Sequence, residues 1–503
     1  MKKMNLKYIY SAVLMFLVSW SYGQTDLDAL RYSRLQVVGS GRTMAVGGAF
    51  GAIGGDFTSL STNPAGIATY RHSEVSLTPS FSLNTTASDY EGTTTRLSEP
   101  YMSVSNIGLI LSDATTNPDK KWKTTNFALG TNRLANFHQR FSFEGTTPGS
   151  ITARYVENAN GKKEDELSDF EEGLAYDAYL IDLKSGSEDQ YYADADSNDL
   201  VYKQQDFSSD GSLNEFVISL GGNYMHRLYL GATIGLPFVR YSEQRTYREE
   251  DQNESIPNFN SMSYTERFST TGLGLNLKIG AILRVNQMFR VGLAVHTPTA
   301  MTLKDNYSTG ITSSVDLIDP DDNEIKTYEY GEDSEQALFE YSLRTPWRAI
   351  GSAGLIIKKN GFISAEVEYV DYGKSRFDFN AFDEGDAQYL QELNNTITNK
   401  YGQSLNLRLG GEITFDKLRL RAGYAIYSSP FDDGIAVENA IITNFSLGGG
   451  YHSKGFFLDI AYVDSRKTEE YVPYTLSEGT QFPVIANNTN FAQIVATIGF
   501  KFY

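Results

Sequence analysis

Catalysis or metal binding needs nucleophiles, bases or ligands in convergent patterns, and this chain of 503 residues is poor in them. It contains no Cys, which excludes a disulfide framework, Cys-built zinc sites, iron–sulfur clusters and a thiol nucleophile. There are only five His, at His72, His138, His226, His296 and His452. No nucleophile elbow or His-Glu-x-x-His pattern occurs. The Gly-rich run from Gly39 to Gly55 is not followed by the Gly-Lys-Ser/Thr of a phosphate loop. Asp194, Asp196 and Asn198 open like a calcium loop, but Asp199 stands at the sixth position and Gln205 at the twelfth, where Gly and Glu are required. The chain is therefore read as a non-enzyme with no cofactor and no metal. What remains is a set of cations, Lys278, Arg290, Arg408, Arg419 and Arg421, with the carboxylates Glu366, Glu368 and Glu412. An Arg fork can clamp the carboxylate of a ligand. Facing carboxylates, it can equally form a structural network.

The elements that carry these residues decide where they point. Leu405, Leu407, Leu409, Ile413 and Phe415 alternate with Asn406, Arg408, Gly410, Glu412 and Thr414. The same period of two recurs over 418–427, 289–296 and 273–280, so each segment is a strand with one oily and one wet face. The wet faces carry Lys278, Arg290, Arg408, Arg419 and Arg421. Composition agrees: 33 Tyr, 29 Phe and 44 Gly favour strands and tight turns. The balance of 43 basic against 62 acidic residues gives a net charge of −19, so there is no phosphate-neutralising surplus and nucleic acid is not an expected partner.

Fourteen strands are expected, at 73–84, 101–111, 123–137, 214–225, 228–241, 264–284, 288–303, 336–357, 361–379, 403–415, 418–427, 443–452, 456–464 and 490–503. Keeping 336–357 as one strand requires a bulge or an end at Pro346. Their connections alternate. One set is long: 85–100, 138–213, 242–263, 304–335, 380–402, 428–442 and 465–489. The other is short except for 112–122. An even number of strands with short turns at one end describes an outer-membrane barrel better than a soluble sandwich. The last strand places Ile494, Ala496, Ile498, Phe500 and Phe502 on one face. Lys2, Lys3 and Lys7 before the apolar run 9–20, then Ser21-Tyr22-Gly23, read as a signal peptide over 1–23 with Gln24 as the mature start. The mean hydropathy is −0.34, as expected when membrane-facing residues are only every second one.

Residues 24–72 do not alternate. Gly47-Gly48-Ala49-Phe50 and Asn63-Pro64-Ala65-Gly66 stand in a Gly- and Ala-rich stretch suited to close packing in a narrow lumen. This stretch resembles the FadL family of outer-membrane transporters for long-chain fatty acids and other hydrophobic compounds, including the TodX-type proteins, with weaker echoes at Thr345-Pro346-Trp347-Arg348 and Asp432-Asp433. The resemblance implies an all-β fold: a 14-stranded antiparallel transmembrane β-barrel over 73–503, with an N-terminal hatch, 24–72, inside its lumen. It implies residence in the outer membrane of a Gram-negative type of cell. It also implies passive transport, in which a hydrophobic ligand is captured by the loops, the hatch shifts, and the ligand leaves sideways at a kink in the third strand. Here Gly130 and Asn132 are the candidates for that kink. The partners implied are outer-membrane lipid and a hydrophobic small molecule. A scaffold or cargo-shuttle role in a secretion or assembly complex is the alternative, with a protein partner at the extracellular loops. The largest loop, 138–213, is acidic, and Leu167, Phe170, Leu174, Ala178 and Ile181 follow helical spacing within it, as a cap over the barrel mouth or a partner surface would.

Overall fold

A computed structural model describes residues 25–195, 199–381, 384–432, 440–477 and 482–502. The expected leader and Gln24 lie outside the described residues, as do Asp196, Asn198, Asp433 and Tyr503. Fourteen antiparallel strands form the wall. They are β1 (Ser73–Tyr90), β2 (Thr93–Ala114), β3 (Trp122–Asn136 and Gln139–Pro148), β4 (Leu200–Tyr224), β5 (Leu228–Glu250), β6 (Phe259–Arg284) and β7 (Phe289–His296 and Ala300–Ile318). They continue as β8 (Ile325–Asp333, Ala337–Arg344 and Arg348–Ile357), β9 (Gly361–Asp371), β10 (Gln403–Phe415), β11 (Leu418–Tyr427), β12 (Ile442–His452), β13 (Phe456–Tyr471) and β14 (Ile485–Phe502). Each strand pairs with the next, and β14 returns to β1 from Ser73↔Phe502 to Asp89↔Ala486, so the sheet closes.

Closure removes the sheet edges, and the side chains then sort by parity. On β6, Leu273, Leu275, Leu277, Ile279 and Leu283 face outward, while Asn276, Lys278 and Ile282 are buried. Ten residues at ~3.4 Å rise and ~40° tilt span about 25 Å, the height of an outer-membrane apolar band. On β5 the outward apolar run Leu230, Ile234, Leu236 and Phe238 gives way to exposed Arg240, Ser242 and Gln244. The oily belt therefore ends at that level while the strand continues to Glu250.

This continuation corrects several expected bounds. The connection 85–100 is not a loop: β1 and β2 run on as a hairpin to Tyr90↔Thr93, turning on Glu91 and Gly92, both with positive φ. Likewise β4 starts at Leu200, β6 at Phe259, and β7 runs to Ile318. Strands beyond the bilayer have no lipid to face, so their outward residues are polar and the alternation that marks a membrane strand fades. The merged eighth strand is interrupted at Thr345, Pro346 and Trp347, and β7 is interrupted beside it at Thr297, Pro298 and Thr299.

Most of the interior is filled by the chain itself. Residues 25–72 lie against the inward-facing side chains and include helices α1 (Asp26–Ser33) and α2 (Gly41–Ala45), then 3-10 turns over Phe57–Ser61 and Pro64–Thr69. Above them, Tyr32 and Ala29 pack with Leu213, Val239, Met301, Tyr341 and Tyr372. The connection from β3 to β4 carries α3 (Thr152–Ala159) and α4 (Glu172–Asp177). The expected helix over 167–181 is shorter than its spacing suggested, but Leu174, Ala178 and Ile181 are buried in an apolar cluster with Tyr90, Phe143, Tyr155 and Tyr247. That cluster caps the mouth. The connection 380–402 is not a plain loop either: it contains α5 (Glu384–Lys400), which buries Leu393 and Ile397. The end of α5 meets α1, where Asp26 accepts from Tyr401 Oη at 2.6 Å and from Lys400 Nζ at 2.7 Å.

The cap is tied to the wall by Glu249 of β5. Its carboxylate accepts from Ser150 Oγ, from the Ile151 amide at 2.9 Å and from Tyr247 Oη at 2.7 Å. Burial pushes the neighbouring Lys203 ammonium down to about 8, against the pull of Glu249. Glu249→Ala leaves the Ile151 amide and the Ser150 hydroxyl without their acceptor. The expected outcome is rapid protease cleavage within 149–199, with the remaining barrel still resistant and still migrating as a folded species on unheated gels.

Candidate functional site

The wet faces of the strands deliver four of the five expected cations to the interior or its edge, and each meets a partner. Arg408 is fully buried and bridges Glu366, at 2.6 Å, and Glu368. Glu368 is shared with Arg348, whose guanidinium also donates to the carbonyl of Ser33 in α1. Lys278 pairs with Glu215 and donates to Asn276 Oδ1 at 2.8 Å. Arg421 bonds Glu412 at 2.7 Å and Asp459 at 2.6 Å. Arg290 donates to the Ile53 carbonyl of the N-terminal segment at 3.1 Å. Arg419 differs: it turns to the carbonyls of Asp416, at 2.8 Å, and Leu418 at the short-turn end and lies 3.8 Å from Glu412.

Arg42 was not singled out from the sequence, yet it joins this network from the N-terminal segment. Its Nε lies 3.3 Å from Glu412, Nη1 donates to the Gly55 carbonyl at 3.2 Å, and the guanidinium covers the Phe50 ring. A signal was present, since Arg42 is the single charged residue between Arg34 and Asp56. Glu366 completes the link by accepting from the Gly51 amide at 2.8 Å.

The two motifs of the N-terminal segment sit where the wall has given up its side chains. Asn63 caps the 3-10 turn that Pro64 opens, accepting from the Ala65 amide at 3.1 Å, and donates to the Gly51 carbonyl at 2.7 Å. Wall residues Gly231 and Gly280 lie directly against Pro64 and Asn63, where a Cβ would collide. Gly47, with positive φ, and Val46 press in the same way on Gly410 and Gly423, and Ala45 on Gly448. Ala49, Phe50 and Ala65 are buried, Gly48 packs against Val37, and Gly66 against Gly54.

The expected kink residues occupy a different kind of position. Gly130 is in regular pairing, opposite Gly108 and Val217, and lies against the Phe57 ring of the N-terminal segment. Asn132 donates to Ser61 Oγ at 2.8 Å and forms, with Asn106, the last rung between β2 and β3. Beyond this rung β2 continues paired to β1 alone, and β3 continues paired to β4 alone. The break in β3 falls at Phe137 and His138, not at Gly130. The wall thus carries a seam, an unzipped length between β2 and β3.

A cavity of about 70 Å³ lies in the lumen beside this seam. Leu134, two residues past the last rung, lines it together with Leu35, Val37, Leu213, Met301 and Ile350. Glu215, Lys278, Arg348, Glu368 and Arg408 form its charged side, and His296 Nε2 donates to the Thr62 carbonyl at 2.6 Å. Among the described residues around it, Lys278, Arg348 and Arg408 are matched by Glu215, Glu366 and Glu368, so three cations meet three carboxylates. The enclosed space is therefore half apolar and half neutralised.

These features define an outer-membrane type of transmembrane β-barrel whose lumen is filled by its own N-terminal segment. Its fold is that of the FadL and TodX type. The solved Pseudomonas putida toluene transporter TodX matches over 93% of this chain and 98% of its own, with 12% identity and a TM-score of 0.51. A Pseudomonas aeruginosa FadL homologue matches over the same shares, with 13% identity and a TM-score of 0.52. No protein-family model and no curated protein matches the sequence.

Two substitutions test the geometry. Gly423→Leu should prevent residues 45–48 from seating and expose the N-terminal segment to protease, whereas Gly449→Leu, where the nearest atom to a new Cβ is 3.6 Å away, should not. Ala at Arg290, Arg408 and Arg421 should loosen the N-terminal segment to protease while the barrel still migrates as a folded species on unheated gels. Arg408→Ala alone leaves the buried Glu366 without a cation, while Glu368 keeps Arg348, and a loss of roughly 3–5 kcal/mol in unfolding stability is expected.

Proposed function

We propose that this barrel carries hydrophobic molecules passively across the outer membrane. The observation that carries the reading is the unzipped β2–β3 seam beside a partly apolar lumen cavity. A ligand entering from the loop side reaches the space bounded by Tyr32, Val37 and Leu134. Movement of the N-terminal segment then lets it leave through the seam. An apolar ligand that exits sideways stays near hydrocarbon, whereas the rest of the lumen offers it charged and hydrogen-bonding groups. The fold likeness to a toluene transporter and to a FadL homologue supports carriage of hydrophobic molecules. Long-chain fatty acids and small aromatic hydrocarbons are the ligand classes to test.

A second reading has its own observation. The mouth carries a groove of about 830 Å³ bordered by Glu164, Asp165, Asp169, Asp177, Glu332 and Asp333, which suits a basic protein partner and a scaffold role. A stable complex lost on neutralising those residues, with uptake unaffected by deleting the gene, would favour it.

The test of transport uses the absence of Cys. Ser103→Cys and Ala135→Cys place thiols on the two edges of the seam. In a Gram-negative host without its own fatty-acid channel, the wild type should restore uptake of labelled oleate or toluene. Bridging the two thiols with a bis-maleimide should reduce it at least tenfold, while either single variant retains it. Equal uptake with and without the bridge would overturn sideways exit, and no uptake of either compound by the wild type would overturn the leading function.

A further inference from the structure

We propose that Glu99, His138 and Asp210 form a binding site for a divalent cation of the zinc type, placed across the open β2–β3 seam. The three residues come from three strands: Glu99 from β2, His138 from the break in β3, and Asp210 from β4. One imidazole nitrogen and one oxygen of each carboxylate all lie within 4.8 Å of one another, the one such convergence of His, Asp and Glu among the described residues. In a tetrahedral zinc site with bonds of about 2.0–2.1 Å, donor atoms stand about 3.3–3.4 Å apart, so small side-chain rotations close the set. One nitrogen and two oxygens leave a fourth position for water. Such a donor set suits zinc and related transition ions better than calcium or magnesium, which prefer oxygen alone.

A simple His–Asp contact accounts for part of this arrangement, since His138 Nδ1 lies 2.7 Å from Asp210 Oδ1. It does not account for Glu99. One oxygen of that carboxylate, Oε2, is buried without any hydrogen-bond partner, and a Glu99 oxygen lies within 4.8 Å of donor atoms of His138 and Asp210. An unpartnered carboxylate oxygen is costly unless something cationic meets it. The ring of His138 is also held in place: Tyr101 stacks on it with centroids 4.2 Å apart, and Asn136 anchors the Tyr101 hydroxyl. The His138 carbonyl accepts from Asn84 at 2.8 Å. Supported ligands of this kind favour a site of fixed geometry.

The position gives the ion a structural consequence. Backbone pairing between β2 and β3 ends at Asn106↔Asn132, and the proposed ligands join the same two strands beyond that point. A bound ion would hold the seam's free edges together. Binding itself is independent of any transport; its effect on passage rests on the reading given above.

The test uses the full-length protein in detergent, with any affinity tag removed. Calorimetric titration with Zn²⁺ should show one equivalent bound by the wild type, and Co²⁺ should give the visible absorption of a low-symmetry site. Glu99→Gln and His138→Ala should each weaken binding at least tenfold, with both variants still migrating as folded barrels on unheated gels. Glu99→Gln keeps the side chain's shape, so its loss of binding cannot be ascribed to misfolding. Absence of binding by the wild type, or wild-type affinity in both variants, would overturn the site. In the host assay, Zn²⁺ should slow wild-type uptake but not that of His138→Ala. Equal slowing of both would overturn the bridging role, and calorimetry would still report the site if no uptake were seen at all.

Discussion

The structure depends on how closely the N-terminal segment approaches the wall. A barrel of fourteen strands is wide enough to leave an aqueous lumen, and here that lumen is filled by backbone rather than by long side chains. The wall supplies glycines at the contact, Gly410 and Gly423 against Val46 and Gly47, Gly231 and Gly280 against Pro64 and Asn63. The segment supplies Gly and Ala in return. Contact this close excludes water, and that raises the stakes for every charge at the same level. Arg42, Arg408 and Arg421 can be tolerated there only because Glu366, Glu368, Glu412 and Asp459 meet them within hydrogen-bonding distance. Steric fit and charge pairing are thus one constraint: remove the first and the second is exposed to water, remove the second and the first is under strain.

The same constraint explains how the wall can afford a seam. Unpaired strand edges in a membrane are costly because no water satisfies their N–H and C=O groups. Between β2 and β3 the ladder stops at the rung that the segment itself supports, through Asn132 and Ser61. Beyond it β3 bends inward, so that Phe143 packs on Tyr90 inside the mouth, with ring centroids 5.1 Å apart. The free edges therefore look toward the protein interior as well as outward.

Legibility in the sequence followed the lipid. Where strands face hydrocarbon, alternation is strict, and β6, β10, β11 and the last strand were readable from Leu273–Leu283, Leu405–Phe415, Leu418–Tyr427 and Ile494–Phe502. Above the bilayer the outward residues are Thr85, Ala87 and Asp89 on β1 and Thr94, Arg96 and Ser98 on β2, so a hairpin turning on Glu91 and Gly92 reads as a loop. Helix α5 escaped for a different reason: Leu390, Leu393 and Ile397 do follow helical spacing, but they sit among polar residues in a segment already assigned to a connection. For the interior, strand parity pointed Lys278, Arg290, Arg408 and Arg421 inward. It could not name partners, because Glu215 lies 63 residues from Lys278, and Arg42 lies 370 from Glu412. The convergence of Glu99, His138 and Asp210 was equally invisible, being a product of where β3 breaks.

The distribution of these contacts bears on what can move. Expelling the whole N-terminal segment would separate Arg42 from Glu412, the Gly51 amide from Glu366, Ser61 from Glu215 and the Ile53 carbonyl from Arg290, and would break these buried bonds to charged groups together, at roughly 1.5–3 kcal/mol each. The proposed passive passage couples no energy source to such a movement, so a path that requires it is slow. The stretch from Tyr32 to Val38 is held differently. It lines the cavity, and its ties include Arg34 to the carbonyls of Ser428 and Ala440, the Val37 amide to Tyr427 Oη, Asn444 Nδ2 to Gln36 Oε1, and the Ser33 carbonyl to Arg348. Apart from Arg348, whose partner Glu368 keeps Arg408, these are bonds whose loss leaves no buried carboxylate without a cation. Displacing that stretch widens the cavity toward Leu134 and the seam while the glycine contacts below stay closed. On the proposed function, this is the movement that would give an apolar molecule a route while the glycine contacts stay closed to water and ions.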